Sequence, residues 1–211
     1  MGEWFPGYDV LGQQHTWDDV TRGVVLRRLG PPPPVRFFTP EEEAVVRPLV
    51  DRLLALEDGP DVPVMELLDG KLRERILPGY HHDDMPEDPE VWRQSVHALE
   101  EDARKQTGSS FAELEPARQR DLLEQVRTTD GDWHGLPATK VWERWMSDVC
   151  SIFYSHPLAW NEIGFGGPAY PRGYKAHTLV ASREPWEVAS ADAMDPVPWA
   201  QRVEQARGRQ Q

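Results

Sequence analysis

The residues best suited to chemistry fall in two stretches. Tyr80-His81-His82-Asp83-Asp84 puts two imidazoles beside two carboxylates, the side-chain types that hold divalent metals. Adjacent residues seldom point at one ion, and metal sites draw ligands from separated elements. The competing reading is a loop whose side chains cap neighbouring helices. The second stretch runs from Phe153 to Tyr174 and contains Gly164-Phe165-Gly166-Gly167. A dinucleotide-binding turn needs a strand before such glycines and a helix after them. No strand pattern precedes them, Pro168 follows, and the Lys-Ser/Thr ending of a phosphate loop is missing. Cys150 lies at helical spacing from Met146 and Phe153 and reads as a small buried hydrophobe. Ser147 and Ser151 have no partnered base in view, and His134 and His156 are isolated in the chain. No catalytic residue, metal ligand or cofactor contact is assigned to this chain on these grounds.

The second stretch has a different kind of chemistry. Trp160, Asn161, Glu162, Phe165, Tyr170, Arg172 and Tyr174 combine large aromatic area with a few polar groups, the composition of interface anchors. The planar fork of Arg172 suits a carboxylate or backbone carbonyls. The N-terminus repeats the theme with Trp4, Phe5, Tyr8 and Trp17, which show no helical or strand periodicity. Segments of this kind are ordered by what they pack against. That is either the chain's own core or a partner.

The elements that must carry these stretches are helical. Thr39-Pro40-Glu41-Glu42 is a capping box with proline at the first helical position, and apolar residues follow at 45, 46, 49, 50, 53, 54 and 56. Pro48 is placed to kink this helix. Asp61 is expected to cap a second helix carrying Val64, Leu67, Leu68, Leu72, Ile76 and Leu77. Asp88-Pro89 opens a third that runs to Gly108, with Val91, Trp92, Val96, Leu99 and Ala103 on one face. Phe111 and Leu114 introduce a fourth, and Pro137 opens a fifth with Val141, Trp142, Trp145, Met146, Val149, Ile152 and Phe153. Residues 40–155 show no sustained alternation. The expected fold is all-α: a compact bundle of about five helices over 39–156, an extended N-terminal arm over 1–38, and an irregular Gly/Pro-rich segment over 157–211. Pro31 to Pro34 form a stiff spacer, and a short helix over 17–29 with Thr16 as its cap would interrupt the arm.

Composition limits the partners. The 211 residues are 39% hydrophobic and carry a net charge of −13, enough apolar content for a core. Residues 41–102 hold 18 acidic and 6 basic side chains, so nearly all the charge lies in one segment. An acidic chain without a basic patch argues against nucleic acid and anionic membranes. No apolar run approaches the ~18 residues of a membrane-spanning helix. The single cysteine excludes an internal disulfide and a four-cysteine metal site. The first ten residues lack the basic start and apolar run of a secretory signal, and the Arg27-Arg28 pair leads into four prolines. The expected location is cytoplasmic.

The run from Phe153 to Tyr174 resembles the C-terminal signature of the gluconate 2-dehydrogenase subunit 3 family. Phe38-Thr39-Pro40-Glu41-Glu42, Phe111 and Leu114 with Gln119 and Leu122-Leu123, and Trp145 before Tyr154-Ser155 fit the same pattern in order. The resemblance spans about 38–175. It implies a small non-catalytic subunit paired, as a heterodimer, with a large FAD-dependent subunit of the glucose-methanol-choline type that oxidises sugar hydroxyls. The small subunit would support folding, stability and, in exported systems, twin-arginine export. Without a signal, the complex resembles cytoplasmic glycoside 3-dehydrogenases. On this reading Trp4, Phe5, Tyr8, Trp17, Trp160, Asn161, Glu162, Phe165, Tyr170, Arg172 and Tyr174 are the candidate contacts with the large subunit, which carries the FAD. Two other readings stand beside it: a stand-alone metal-dependent enzyme using His81, His82 and Asp83, and a helical adaptor unrelated to redox chemistry.

Overall fold

Thr39 begins the first long helix as its sequence requires. Its hydroxyl accepts the Glu42 amide at 3.2 Å, and the Glu42 carboxylate accepts the Thr39 amide at 2.8 Å. Two donors with no partner inside the helix are thereby satisfied. The computed structural model describes residues 8–55, 59–79 and 82–169. The chain divides into two compact units. Met1–Gly30 and His156–Gln211 form one, the terminal unit, and Pro31–Ser155 form the other, the central unit.

The central unit holds α2 (Pro40–Leu54), α3 (Val64–Arg73), α4 (Asp88–Thr107), α5 (Pro116–Thr128) and α6 (Ala138–Tyr154). A short 3-10 turn at Phe111–Glu113 precedes α5. The expected five-helix body is present, with α6 packed on each of the other four helices. Phe38, Val46, Leu49, Leu68, Leu72, Trp92, Leu99, Phe111, Leu122, Val141, Trp145 and Val149 are buried here. Burying a large apolar side chain contributes about 1.5–3 kcal/mol. Trp145 joins the layers: its ring lies 6.4 Å from Trp92 and 5.9 Å from Trp133, and its indole N–H donates to the buried Ser95 hydroxyl at 2.9 Å.

Three local expectations change in this unit. Asp61 does not cap α3, which starts three residues later with Pro63 at the cap and no side-chain bond. Proline already has a helix-compatible φ and no amide to satisfy. The same helix stops at Arg73 rather than carrying Ile76 and Leu77. Arg75 turns left-handed at φ 55°, and the Ile76 amide reaches back to the Lys71 carbonyl at 3.0 Å. That closure satisfies the last carbonyls and leaves Ile76 exposed. A two-residue hairpin also precedes α6: β1 (Asp132–Trp133) pairs antiparallel with β2 (Leu136–Pro137). His134 and Gly135 both have positive φ, as a tight hairpin turn demands. Strands this short cannot show alternation in sequence.

The terminal unit corrects both ends of the expected fold. Where an extended arm is expected, Val10–Thr16 forms a 3-10 helix; the short helix expected over 17–29 is present as α1, Asp19–Arg27. The α1 cap is Asp18, whose carboxylate accepts the Thr21 amide at 2.8 Å, and not Thr16. The Thr16 hydroxyl instead donates to the Gln13 carbonyl. Residues from 157 are not irregular at their start: α7 spans Pro157–Ile163. Proline at the first helical position and glycine just past the end frame a helix. Gly164 fills the second role at φ 64°.

Candidate functional site

The two aromatic stretches meet in the terminal unit. Val10, Trp17, Val25 and Trp160 form one buried cluster, with Tyr8 and Leu11 packed against it. The Val10 amide donates to the Asn161 side-chain oxygen at 2.8 Å, a tie between residues 151 positions apart. The Tyr8 hydroxyl donates to the Phe165 carbonyl at 3.3 Å. The Phe165 ring meets Trp160 edge-on at 5.5 Å, and the Arg28 guanidinium lies 5.9 Å over the Trp160 ring. Trp17 and Trp160 are buried, Tyr8, Asn161 and Glu162 are half-buried, and Phe165 is exposed. Trp4, Phe5, Tyr170, Arg172 and Tyr174 lie outside the described residues.

The glycines of the Gly164–Gly167 run have structural duties. Gly164 closes α7. Gly167, at φ 75°, lies so close to Trp17 that a Cβ there would sit 2.7 Å from the indole Cζ2. This run follows a helix, and Gly167 is pressed against a ring. Neither feature suits the turn that holds a dinucleotide after a strand.

His156 links the two ends of this unit and is not isolated. Its Nδ1 accepts the Leu158 amide at 3.3 Å, which caps α7, and its Nε2–H donates to the Arg28 carbonyl at 2.8 Å. Those two bonds require the neutral Nε2–H tautomer. Burial holds its pKa below the usual imidazole value, and the Arg28 charge adds to that, while the bond to the Arg28 carbonyl opposes it.

The buried polar groups of the central unit are held as struts. Asp148 accepts Lys71 Nζ at 2.6 Å, the Trp92 indole N–H at 2.9 Å and Arg144 at 3.4 Å. Asp69 accepts the amides of Arg36, Phe37 and Phe38 at 2.7, 2.7 and 2.9 Å, which pins the segment entering α2. His134 is likewise partnered. Its Nε2 lies 2.9 Å from one Asp102 oxygen, while the other accepts the Trp133 indole N–H at 2.9 Å. Asp102 therefore ties the hairpin to α4.

Other candidates resolve similarly. His82 and Asp83 are exposed, and Asp84 pairs with Lys140 at 2.6 Å. Tyr80 and His81 lie outside the described residues. Among the described residues no group of three or more His, Cys, Asp or Glu is placed to hold a metal. His82 lines a pocket of about 160 Å³ with Met85, Asp88, Lys140, Arg144 and Ser147. Glu143 lines it too, while Arg144 lies 3.2 Å from Asp88 and Lys140 holds Asp84. Cys150 is half-buried rather than buried, and burial pushes its thiol pKa up, away from the thiolate a nucleophile needs.

Sequence reasoning missed one surface. α1 carries Val20, Val24, Val25 and Leu26, yet buries Val25 alone. The signal was available, because apolar residues at these positions cannot share one face of a helix. No helix among the described residues is long and apolar enough to cross a membrane.

Neither the curated proteins nor the solved structures contain a match to this chain. The family model for gluconate 2-dehydrogenase subunit 3 does match, over residues 40–167. It takes in α2 through α7 and ends at the glycine packed on Trp17. With more than half of its length matched, the chain belongs to the gluconate 2-dehydrogenase subunit 3 family.

Proposed function

We propose that this chain is a non-catalytic accessory subunit of a cytoplasmic FAD-dependent sugar dehydrogenase of the glycoside 3-dehydrogenase kind. The observation that carries the reading is the family match over 40–167. The large subunit, of glucose-methanol-choline type, would hold the FAD, which supplies hydride acceptance from a sugar CH–OH once a base has taken the hydroxyl proton. This chain's part is shape and stability. Its structural carboxylates support that role, since buried Asp69 and Asp148 and half-buried Asp102 use their oxygens to join segments of the chain. Its lone cysteine, a free thiol, suits a reducing compartment.

The test is expression of the full chain alone and together with a neighbouring large flavoprotein reading frame. The expected result is a colourless, inactive chain alone and a yellow, sugar-oxidising complex when the two are made together. Stoichiometric flavin or sugar-dependent dye reduction in the chain purified alone would assign the chemistry here. A flavoprotein equally soluble and active without this chain would remove the accessory role.

A further inference from the structure

A subunit must present a contact surface, and the centre of such a surface is apolar and poor in charge. Among the described residues, the exposed large apolar side chains are unevenly spread. Val20, Val24, Leu26, Ile163 and Phe165 belong to the terminal unit, while Ile76 and Tyr154 are those of the much longer central unit. The densest set is on α1, where Val20 is 75%, Leu26 40% and Val24 38% exposed.

The arrangement on α1 is specific. At 3.6 residues per turn, Val20, Gly23, Val24 and Arg27 follow one another at three- and four-residue steps along the side turned away from buried Val25. A Cβ on Gly23 would meet only the Arg27 guanidinium, at 3.9 Å, so the middle of the stripe is bare backbone open to close approach. The stripe ends in a cation. Arg22 is paired with Asp19 at 2.6 Å and Arg28 lies over Trp160. The Arg27 side chain has no ion pair or hydrogen bond among the described residues. A nine-residue helix rich in valine and containing glycine draws its stability from packing rather than propensity, and here packing is offered by one buried residue.

The geometry points to the outer face of α1, along Val20, Gly23, Val24 and Arg27, as the anchor on which the larger dehydrogenase subunit docks. The matching surface is an apolar strip closed by a carboxylate opposite Arg27. The inference rests on the accessory-subunit reading above. A second copy of the chain is the weaker occupant, because two bodies of net charge −13 repel.

The test uses the full chain with the co-expressed flavoprotein and measures the dissociation constant at two salt concentrations. Val20→Asp and Val24→Asp should each weaken association about thirty-fold, the scale of an interface hot spot. Arg27→Glu should weaken it about five- to ten-fold, chiefly at low salt. Ile76→Asp, exposed in the central unit, should bind as wild type does. Valine variants that bind as tightly as Ile76→Asp would overturn the docking face and leave the accessory role standing. A wild-type chain that holds no flavoprotein would overturn the role itself. Self-association of the isolated chain, abolished by Val20→Asp, would give the face to a second copy and overturn the assignment. If either valine variant lost helical circular dichroism, the salt-dependent Arg27→Glu measurement would decide on its own.

Discussion

The two units solve the same folding problem with different resources. In Pro31–Ser155, five helices share an aromatic core, and two buried carboxylates cross-link it: Asp148 takes three donors and Asp69 takes three amides. Among the described residues of the terminal unit, a small cluster of Val10, Trp17, Val25 and Trp160 carries the packing. There, among the described residues, the buried Trp17 indole N–H and Gln13 side-chain oxygen have no hydrogen-bond partner, each costing about 1–3 kcal/mol. Small bodies bury a smaller fraction of their surface, so such costs weigh more. The comparison teaches that the central unit is built to stand as a scaffold. The terminal unit has apolar surface still to spend.

The largest expected effect breaks the scaffold. Asp148→Ala leaves Lys71, Arg144 and the Trp92 indole N–H around an empty acceptor, and removing one partner of a buried charge pair costs about 3–5 kcal/mol. Urea unfolding followed by helical circular dichroism should show that loss. A change under about 1 kcal/mol would mean that this polar centre is not a strut.

Trp160→Ala separates the units. Emptying its place should cost about 3 kcal/mol, felt locally. Hydrogen exchange should accelerate in Val10–Thr16, α1 and α7 while α4 and α6 keep their protection. Equal acceleration in both units would show that they open together.

Gly167→Ala sharpens the same contrast at a single atom. The added methyl meets Trp17 at 2.7 Å, and the backbone sits at φ 75°, so a loss of about 1–3 kcal/mol is expected. Gly12→Ala in the same unit, where a Cβ meets nothing within 4 Å, serves as the control. Similar losses at both positions would count against the close-packing account.

The smallest effect is a pH slope. The folded-state pKa of His156 lies below its unfolded value of 6.5, so the unfolded chain binds the proton more tightly. Its contribution is therefore intact above pH 6.5 and is lost as pH falls through the lowered value. Protonation also removes the acceptor that caps α7. Exchange of α7 and α1 amides, corrected for intrinsic rates, should rise on acidification. His156→Asn should flatten that rise by keeping an acceptor at the cap without a titrating group.

The legible part of the chain is the part where each signal is local. The Thr39–Glu42 capping box, the glycine ending α4 and the stripes at 45, 46, 49, 50 and 141, 145, 149 follow from neighbouring residues, and so the five central helices and their inner faces were determined by sequence. α7 was legible in principle, since Pro157 and Gly164 bracket it, but the same residue types also signal irregular backbone.

What tertiary structure alone decided lies at long separation. Asp69 reaches Arg36 across 33 positions, Lys71 reaches Asp148 across 77, and His156 reaches Arg28 across 128. Periodicity has no reach beyond its own element, so it cannot tell a carboxylate that braces the fold from one that faces water. Nor can it say that the aromatic stretches at the two ends of the chain pack as one cluster. The outward turn of Val20 and Val24 was settled the same way. The sequence placed them on a helix, and only the packing of Val25 against Val10, Trp17 and Trp160 decided which side of that helix was left over.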